Sequence, residues 1–268
     1  MSDATAPTVA GDAAAATRAE ICVVACAEVW RDAGEVLASP IGLVPMIGAR
    51  LARATFAPGL MLGDGGAMLV SGTWAIGEAP AAYEGWMPYR SIFDLVWNGR
   101  RHVMMMPSQI DRHGNANISY VGDDFSRPDV QLLGVRGAPG NTVNHPTSYW
   151  LPRHSTRALV ERVDMVSGVG NDTAAAGGPG ASRFHDLRRL VTNLGVFDWG
   201  GVEGTMRTLS LHPGVSGEEV AEATGFELGA AESAEREIPE TRLPTEEELR
   251  LVREVIDPKG VRDREVRS

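Results

Sequence analysis

The chain has 268 residues, 43% of them hydrophobic and 22% charged. That composition excludes a disordered or membrane-embedded chain and allows one large α/β domain or two smaller ones. A formal net charge of −10 excludes nucleic acid as the main partner, because phosphate binding wants a basic face; a small anion held by a local arginine cluster stays compatible.

The first sixteen residues are rich in alanine, carry Asp3 and Asp12, and lack a basic stretch ahead of an apolar core. They predict a disordered tail and no signal peptide. No apolar run approaches the roughly 20 residues that span a bilayer, so no membrane association is expected. Thr17-Arg-Ala-Glu20 has capping-box spacing, and Ile21 to Trp30 continue as an apolar helix that stops near Gly34. Cys22 and Cys26 share a face of that helix and read as small core residues, without nearby partners for a metal. With no disulfide framework, a cytoplasmic setting is expected.

Glu35 to Ser39 is a predicted strand, and Val44 to Phe56 a helix whose apolar positions include Ile47, Leu51 and Ala54, ended by Pro58 and Gly59. Leu60 to Leu62 is a buried strand running into Gly63-Asp-Gly-Gly66. Ser91 to Trp97 is a helix and Val103 to Met106 a strand. Gly134 to Asn141, with three glycines and a proline, is expected to be neither helix interior nor central strand. Ala158 to Val163, Leu187 to Phe197 and Met206 to Leu211 supply further β-rich runs. Gly217 to Thr224 is a short amphipathic helix. A last helix starts at Thr245, with Glu248 in capping-box position, and runs to about Ile256; the residues after Pro258 read as a charged tail. Thr173 to Ser182 and Gly229 to Arg242 read as loops of low hydrophobicity. Helices alternating with short apolar strands predict an α/β fold with a mostly parallel sheet covered by helices, a single domain over 17–268.

No Walker A sequence, GxSxG elbow, HExxH or helix-opening GxGxxG is present. Four segments carry candidate chemistry. Asp64 lies on a glycine-rich turn after a buried strand, where α/β folds place site residues, and is equally a turn aspartate satisfying its own backbone. Gln109-Ile-Asp-Arg-His-Gly-Asn-Ala-Asn117 gathers amides (Gln109, Asn115), a carboxylate and a histidine, and also makes a hairpin turn. Arg136, Gly137, Ala138, Gly140 and Asn141 form a loop whose backbone amides suit an anionic or carbonyl oxygen, and it is also an ordinary Gly/Pro turn. Asn144 and His145 come next in the chain, and His145 before Pro146 is expected to be extended. Glu84, between Tyr83 and Trp86, is either an acid in an apolar pocket or a cap for the helix beginning near Pro88.

The chain resembles the β subunits of class I, glutaconate-type CoA-transferases from about Thr17 to Glu265. The segment from Gln109 to Asn117 matches that family's Q-V-D-x-x-G-N-V-N block. Val191-Thr-Asn-Leu-Gly-Val-Phe-Asp198 matches its late V-T-x-L-x-V-F-D strand, and Leu211 to Phe226 its P-G-V-x-x-x-x-V-x-x-x-T-x-F ending. The resemblance implies a three-layer CoA-transferase-like fold, with Gly134 to Asn141 in the place of the glycine loop near the thioester. Transferases of this class carry Ser-Glu-Asn-Gly where this chain has Gly63-Asp64-Gly65-Gly66. Their glutamate forms covalent acyl intermediates. Asp64 is one methylene shorter, and a nucleophile displaced by about 1.5 Å is poorly placed for attack.

Glu84-Gly-Trp-Met-Pro88, Gly99-Arg-Arg-His-Val103, Gly134 to Trp150, Asp257-Pro-Lys and Arg262-Asp-Arg-Glu-Val266 further resemble the β subunits of actinobacterial cholesterol ring-cleaving hydrolases. That likeness implies an α₂β₂ heterotetramer opening the last steroid ring of a CoA thioester by retro-Claisen hydrolysis, with the base supplied by the α subunit. Coenzyme A then enters as part of the substrate, with no separate cofactor, no metal, no nucleic acid and no membrane. Asp64, Asn144 and His145 are the expected catalytic candidates. Arg136, Gly137, Ala138, Gly140, Asn141, Gln109, Asn115 and Glu84 are the expected substrate or CoA contacts. Two alternatives are a CoA-transferase using Asp64 in place of the glutamate and a structural subunit that completes the partner's site. The runs Trp74 to Gly77 and Gly66 to Val70 match the hydrolases less well, which leaves open a paralogue acting on another cyclic acyl-CoA.

Overall fold

The computed structural model describes residues 16–229 and 237–266; the expected tail over the first fifteen residues lies outside the described residues. A six-stranded sheet organises the chain in the order Leu37–Pro40, Arg101–Met105, Pro146–Leu151, Asp186–Thr192, Gly195–Asp198, Arg207–Leu211. The first four strands are parallel neighbours, and the last two fold back antiparallel. Successive residues point to opposite faces. Met104, Trp150 and Val191 therefore join a core with the helices Arg18–Glu28 and Leu43–Ala54 on one face. Val103, Met105, Tyr149, Leu151 and Leu190 join a second core on the other. This is the helix-covered, mostly parallel sheet expected from the alternation of elements.

The two helices on the first face cross closely. A Cβ at Gly48 would lie 2.9 Å from the Cys26 Cβ and 2.9 Å from the Val23 carbonyl. Both cysteines are fully buried, so they are small residues at a tight helix contact, as their spacing suggested. Burial holds the Cys22 thiol up at about 12, too high for a thiolate at neutral pH. The Thr17–Glu20 and Thr245–Glu248 capping boxes are both formed.

Several expectations need correction. Gly134 to Asn141 is not all loop: Ala138–Asn144 is a helix with Pro139 in its first turn and Gly140 inside it. Proline is tolerated there because the first-turn N–H groups have no intrahelical partner. Gly140 is required by a neighbour, since a Cβ would meet Val96 Cγ1 at 2.6 Å. Ala158 to Val163 forms no strand and contributes one bridge, Leu159 to Ile110. Thr173 to Ser182 falls on two short helices, Asn171–Ala176 and Pro179–Ser182. Leu187 to Phe197 is a hairpin of two strands. The segment after Pro258 is not a free tail. It forms a 3₁₀ turn over Val261–Arg264, and Val266 is buried. Glu265 accepts from the Leu43 and Val44 amides at 2.7 and 3.0 Å and from Trp150 Nε1 at 3.1 Å. A charged residue in a terminal run reads as solvated until the fold brings orphan helix amides to it.

Candidate functional site

A three-stranded antiparallel meander, Leu62–Gly63, Met68–Ser71 and Ala82–Trp86, sits beside the edge strand Leu37–Pro40. Between them lies a cavity of about 230 Å³, lined by the edge strand, the Gly63–Gly66 turn, Met46 and Arg50 of the second helix, and Trp74, Met87, Ile92 and Arg101. The turn is shaped by Asp64: its Oδ1 accepts from the Gly66 and Met68 amides at 2.8 and 3.1 Å. Gly65 holds φ at +84°, a left-handed conformation that glycine adopts without strain. Asp64 itself is exposed at the turn, while Gly63, Gly65 and Gly66 line the cavity.

Arg50 is the cavity's unexpected member. It is 6% exposed, its guanidinium stacks over Trp74 at 4.0 Å from the ring centroid, and Nη1 donates to the Met46 carbonyl at 3.1 Å. Its Nε is buried without a partner. Burial pulls the guanidinium down to about 10, with no carboxylate among the described residues acting against it; the group stays charged at neutral pH. Arg101 donates from Nε to Ser39 Oγ at 2.8 Å and is likewise lowered by burial. Arg53, one turn further along the helix, pairs instead with Glu84 at 2.8 Å. Sequence reading passed over Arg50 and Arg101. The available signal was a basic residue three positions after Ile47 and four before Ala54, inside the apolar stripe of an amphipathic helix.

The other candidates fall elsewhere. Asn144 and His145 line a second cavity of about 220 Å³ with Arg100, His102 and Arg188, and Arg101 touches both cavities. Asn144 Nδ2 and His145 Nε2 both reach the Val96 carbonyl, at 3.3 and 2.8 Å. That oxygen can only accept, so Nε2 carries the proton. Burial moves His145 below its ordinary value, leaving a neutral ring. His145 has φ −138° and ψ 152°, the extended backbone expected before proline. Together the two side chains satisfy an orphan carbonyl near the end of helix Tyr89–Asn98.

Gln109 and Asn115 belong to a buried network under a hairpin whose strands are Gln109–Ile110 and Ala116–Asn117. Gln109 accepts from Asn117 Nδ2 at 2.7 Å and donates to Asp164 at 3.1 Å. Asn115 donates to Asp111 and Asp172 and accepts from the Gly170 amide at 2.7 Å. Arg136 is exposed at φ +47°. The Ala138 and Asn141 amides already donate to the Val135 and Gly137 carbonyls, so two donors expected to face an oxyanion instead close the turn ahead of the helix and the helix's own first turn. Asn141 Oδ1 is buried without a partner. Glu84 neither sits in an apolar pocket nor caps the helix that Pro88 opens; it is an exposed partner of Arg53. Among the described residues no group of three or more His, Cys, Asp or Glu side chains is placed to hold a metal ion.

No family model matches the chain. It is 54% identical over 250 residues to the cholesterol ring-cleaving hydrolase IpdB subunit of Rhodococcus jostii strain RHA1, covering 93% of this chain and 96% of that protein. Its fold superposes on a chain of the Rhodococcus jostii RHA1 IpdAB crystal structure with a TM-score of 0.89 at 53% identity, covering 95% of this chain and all of the other. Glutaconate coenzyme A-transferase from Acidaminococcus fermentans shares the fold, with a TM-score of 0.77 at 22% identity, over 91% of this chain and 96% of that one.

Proposed function

The chain belongs to the cholesterol ring-cleaving hydrolase IpdB-subunit family, and from that premise we propose that it is the β subunit of a heteromeric hydrolase. The enzyme opens the last ring of a steroid-derived CoA thioester by water-dependent C–C cleavage. Likeness to that subunit over nearly the whole of both chains carries the reading. A partner α subunit supplies the carboxylate base that activates water. Hydroxide adds to a ring ketone carbon, and the bond to the neighbouring carbon α to the thioester breaks. The electron pair passes to that carbon as an enolate, which takes up a proton. The reaction as drawn uses water and a base and draws on no further cofactor. A CoA thioester suits a cytoplasmic enzyme, and among the described residues no helix is long and apolar enough to cross a membrane.

Within this reading Asp64 sets the shape of the cavity's glycine turn and forms no acyl adduct. Asn144 and His145 hold helix Tyr89–Asn98 in place. Arg136 and Gly137, both exposed, stay available to the CoA end of the substrate.

The test is to co-express the chain with its α subunit and follow the mass of a ring-containing, steroid-derived acyl-CoA. Gain of one water with the thioester retained supports the hydrolase. Transfer of CoA to an added free acid, with an adduct trapped on Asp64, supports the transferase instead. Asp64→Asn keeps the Oδ1 acceptor and is expected to change ring hydrolysis by less than about tenfold, whereas loss of a nucleophile costs on the order of 10⁴-fold or more.

A further inference from the structure

We infer that Arg50 and Arg101 form a carboxylate-binding subsite for the acyl part of the ligand, an assignment that rests on the ring-cleaving reading for the identity of that acyl group. A guanidinium removed from water without a counter-charge carries a desolvation cost of several kcal/mol, and folded chains keep such groups paired. Arg50 is not paired. Among the described residues no carboxylate lies within ion-pair distance of it, and its Nε is buried without a partner. Its neighbour Arg53 shows the ordinary solution, a carboxylate at 2.8 Å. The unpaired guanidinium is also held still. Trp74 covers one of its faces and the Met46 carbonyl takes one N–H, and the residue lines the cavity, where a guanidinium is a matched partner for a carboxylate. Arg101, fixed by Ser39 through Nε, lines the same space.

The surroundings narrow the ligand. Ala38, Ile41, Met46, Leu62, Met87 and Ile92 make most of the wall apolar, which suits hydrocarbon and not the diphosphate of CoA. A volume of about 230 Å³ falls below the roughly 300 Å³ at which drug-sized pockets begin, so it takes one end of an acyl group and not a nucleotide. Ring cleavage by water supplies such an end. The hydroxide oxygen stays on the former ketone carbon when the C–C bond breaks, and that carbon leaves as a carboxylate while the carbon α to the thioester is protonated. The carboxylate at Arg50 is therefore either one created by ring opening or one the substrate carries in.

The experiment uses the assembled αβ complex as wild type, Arg50→Gln, Arg50→Lys and Arg101→Gln, with glutarate and its uncharged diamide as probes. Glutarate is expected to raise the unfolding temperature of the wild type and to inhibit ring hydrolysis competitively, and the diamide to do neither. Arg50→Gln should weaken glutarate binding and binding of the ring-opened product roughly tenfold to a hundredfold, with Arg50→Lys and Arg101→Gln intermediate. A parallel rise in KM with kcat kept identifies a carboxylate carried by the substrate; weaker product inhibition with KM unchanged identifies the one created by cleavage. Equal glutarate binding by wild type and Arg50→Gln overturns the subsite. So does loss of αβ assembly in both Arg50→Gln and Arg101→Gln, which assigns the pair to a carboxylate of the α subunit. If the wild type binds glutarate but leaves the ring substrate intact, the subsite stands and only the ring-cleaving reading fails.

Discussion

Gly114 holds φ at +83° in the turn between the Gln109–Ile110 and Ala116–Asn117 strands, and a Cβ there would lie 2.5 Å from Leu187 Cδ1 and 2.8 Å from Trp199. Backbone strain and overpacking coincide at one atom. Gly114→Ala is expected to destabilise the fold by about 3 kcal/mol, read from urea unfolding; a change under about 0.5 kcal/mol would mean that the turn readjusts freely. The turn itself was legible from Asp111-Arg-His-Gly-Asn115, because glycine in that setting signals a left-handed position. The demand for glycine set by Leu187 and Trp199 was not, since both lie more than 70 residues away in sequence. Arg50 makes the same point for the site: its position on the helix is readable, whereas its lack of a carboxylate among the described residues depends on every element that packs around it.

Helix Arg18–Glu28 shows how far local signals reach. Its capping box formed as its spacing required, with Thr17 N donating to Glu20 Oε2 at 2.9 Å. The same carboxylate, 1% exposed, also accepts from Arg253 at 2.8 and 2.9 Å and from Arg262 at 2.9 Å, which no local pattern announces. Burial would raise the Glu20 carboxyl, but the Arg253 hydrogen bonds, the Thr17 amide and the charge of Arg262 outweigh it and hold the group below its ordinary 4.5. A carboxylate depressed in the folded state adds stability that is complete above 4.5 and is lost as pH falls through the folded value. Glu20→Gln should therefore cost about 3 kcal/mol at neutral pH and flatten the fall of stability as pH drops below 4.5. Unfolding midpoints measured against pH check both; parallel curves for the two proteins would exclude Glu20 as the titrating group. At the second helix, Leu43–Ala54, the cap comes from the far end of the chain. Glu265→Ala leaves the Leu43 and Val44 amides and the Trp150 indole without their acceptor, and thermal unfolding should register a loss of roughly 1–2 kcal/mol.

Over the whole molecule the sheet separates two cores, and beside them the helix Tyr89–Asn98 and the strand before it carry exposed aromatic residues. Trp86 is 72% exposed, Tyr89 78%, Phe93 53% and Trp97 66%, all on strand Ala82–Trp86 or helix Tyr89–Asn98, of which Val96 is the one buried residue. An amphipathic helix with its aromatic face outward marks an interface. The α subunit of the proposed hydrolase is its expected occupant, in a contact continuous with the cavity through Met87 and Ile92. Phe93→Asp combined with Trp97→Asp should leave the circular dichroism spectrum of the isolated chain unchanged and abolish αβ association in size-exclusion chromatography. Full assembly of the double variant would place the α subunit on another face.

Most of the helices and central strands were legible because their signals are local. Hydrophobic period, cap residues and glycine or proline breaks lie within one or two turns of the residues they govern. The family's sequence blocks are likewise properties of the linear chain, and they were enough to place the chain in its family. Tertiary structure decided the rest, because it concerned groups far apart in sequence. It turned the segment after Pro258 into a helix cap, wound Ala138–Asn144 into a helix, and directed His145 and Asn144 to the Val96 carbonyl. It also left Arg50 buried beside Trp74 with no carboxylate among the described residues. Whether a polar group is already satisfied or still seeks a partner depends on everything folded around it, and only the assembled molecule determines that.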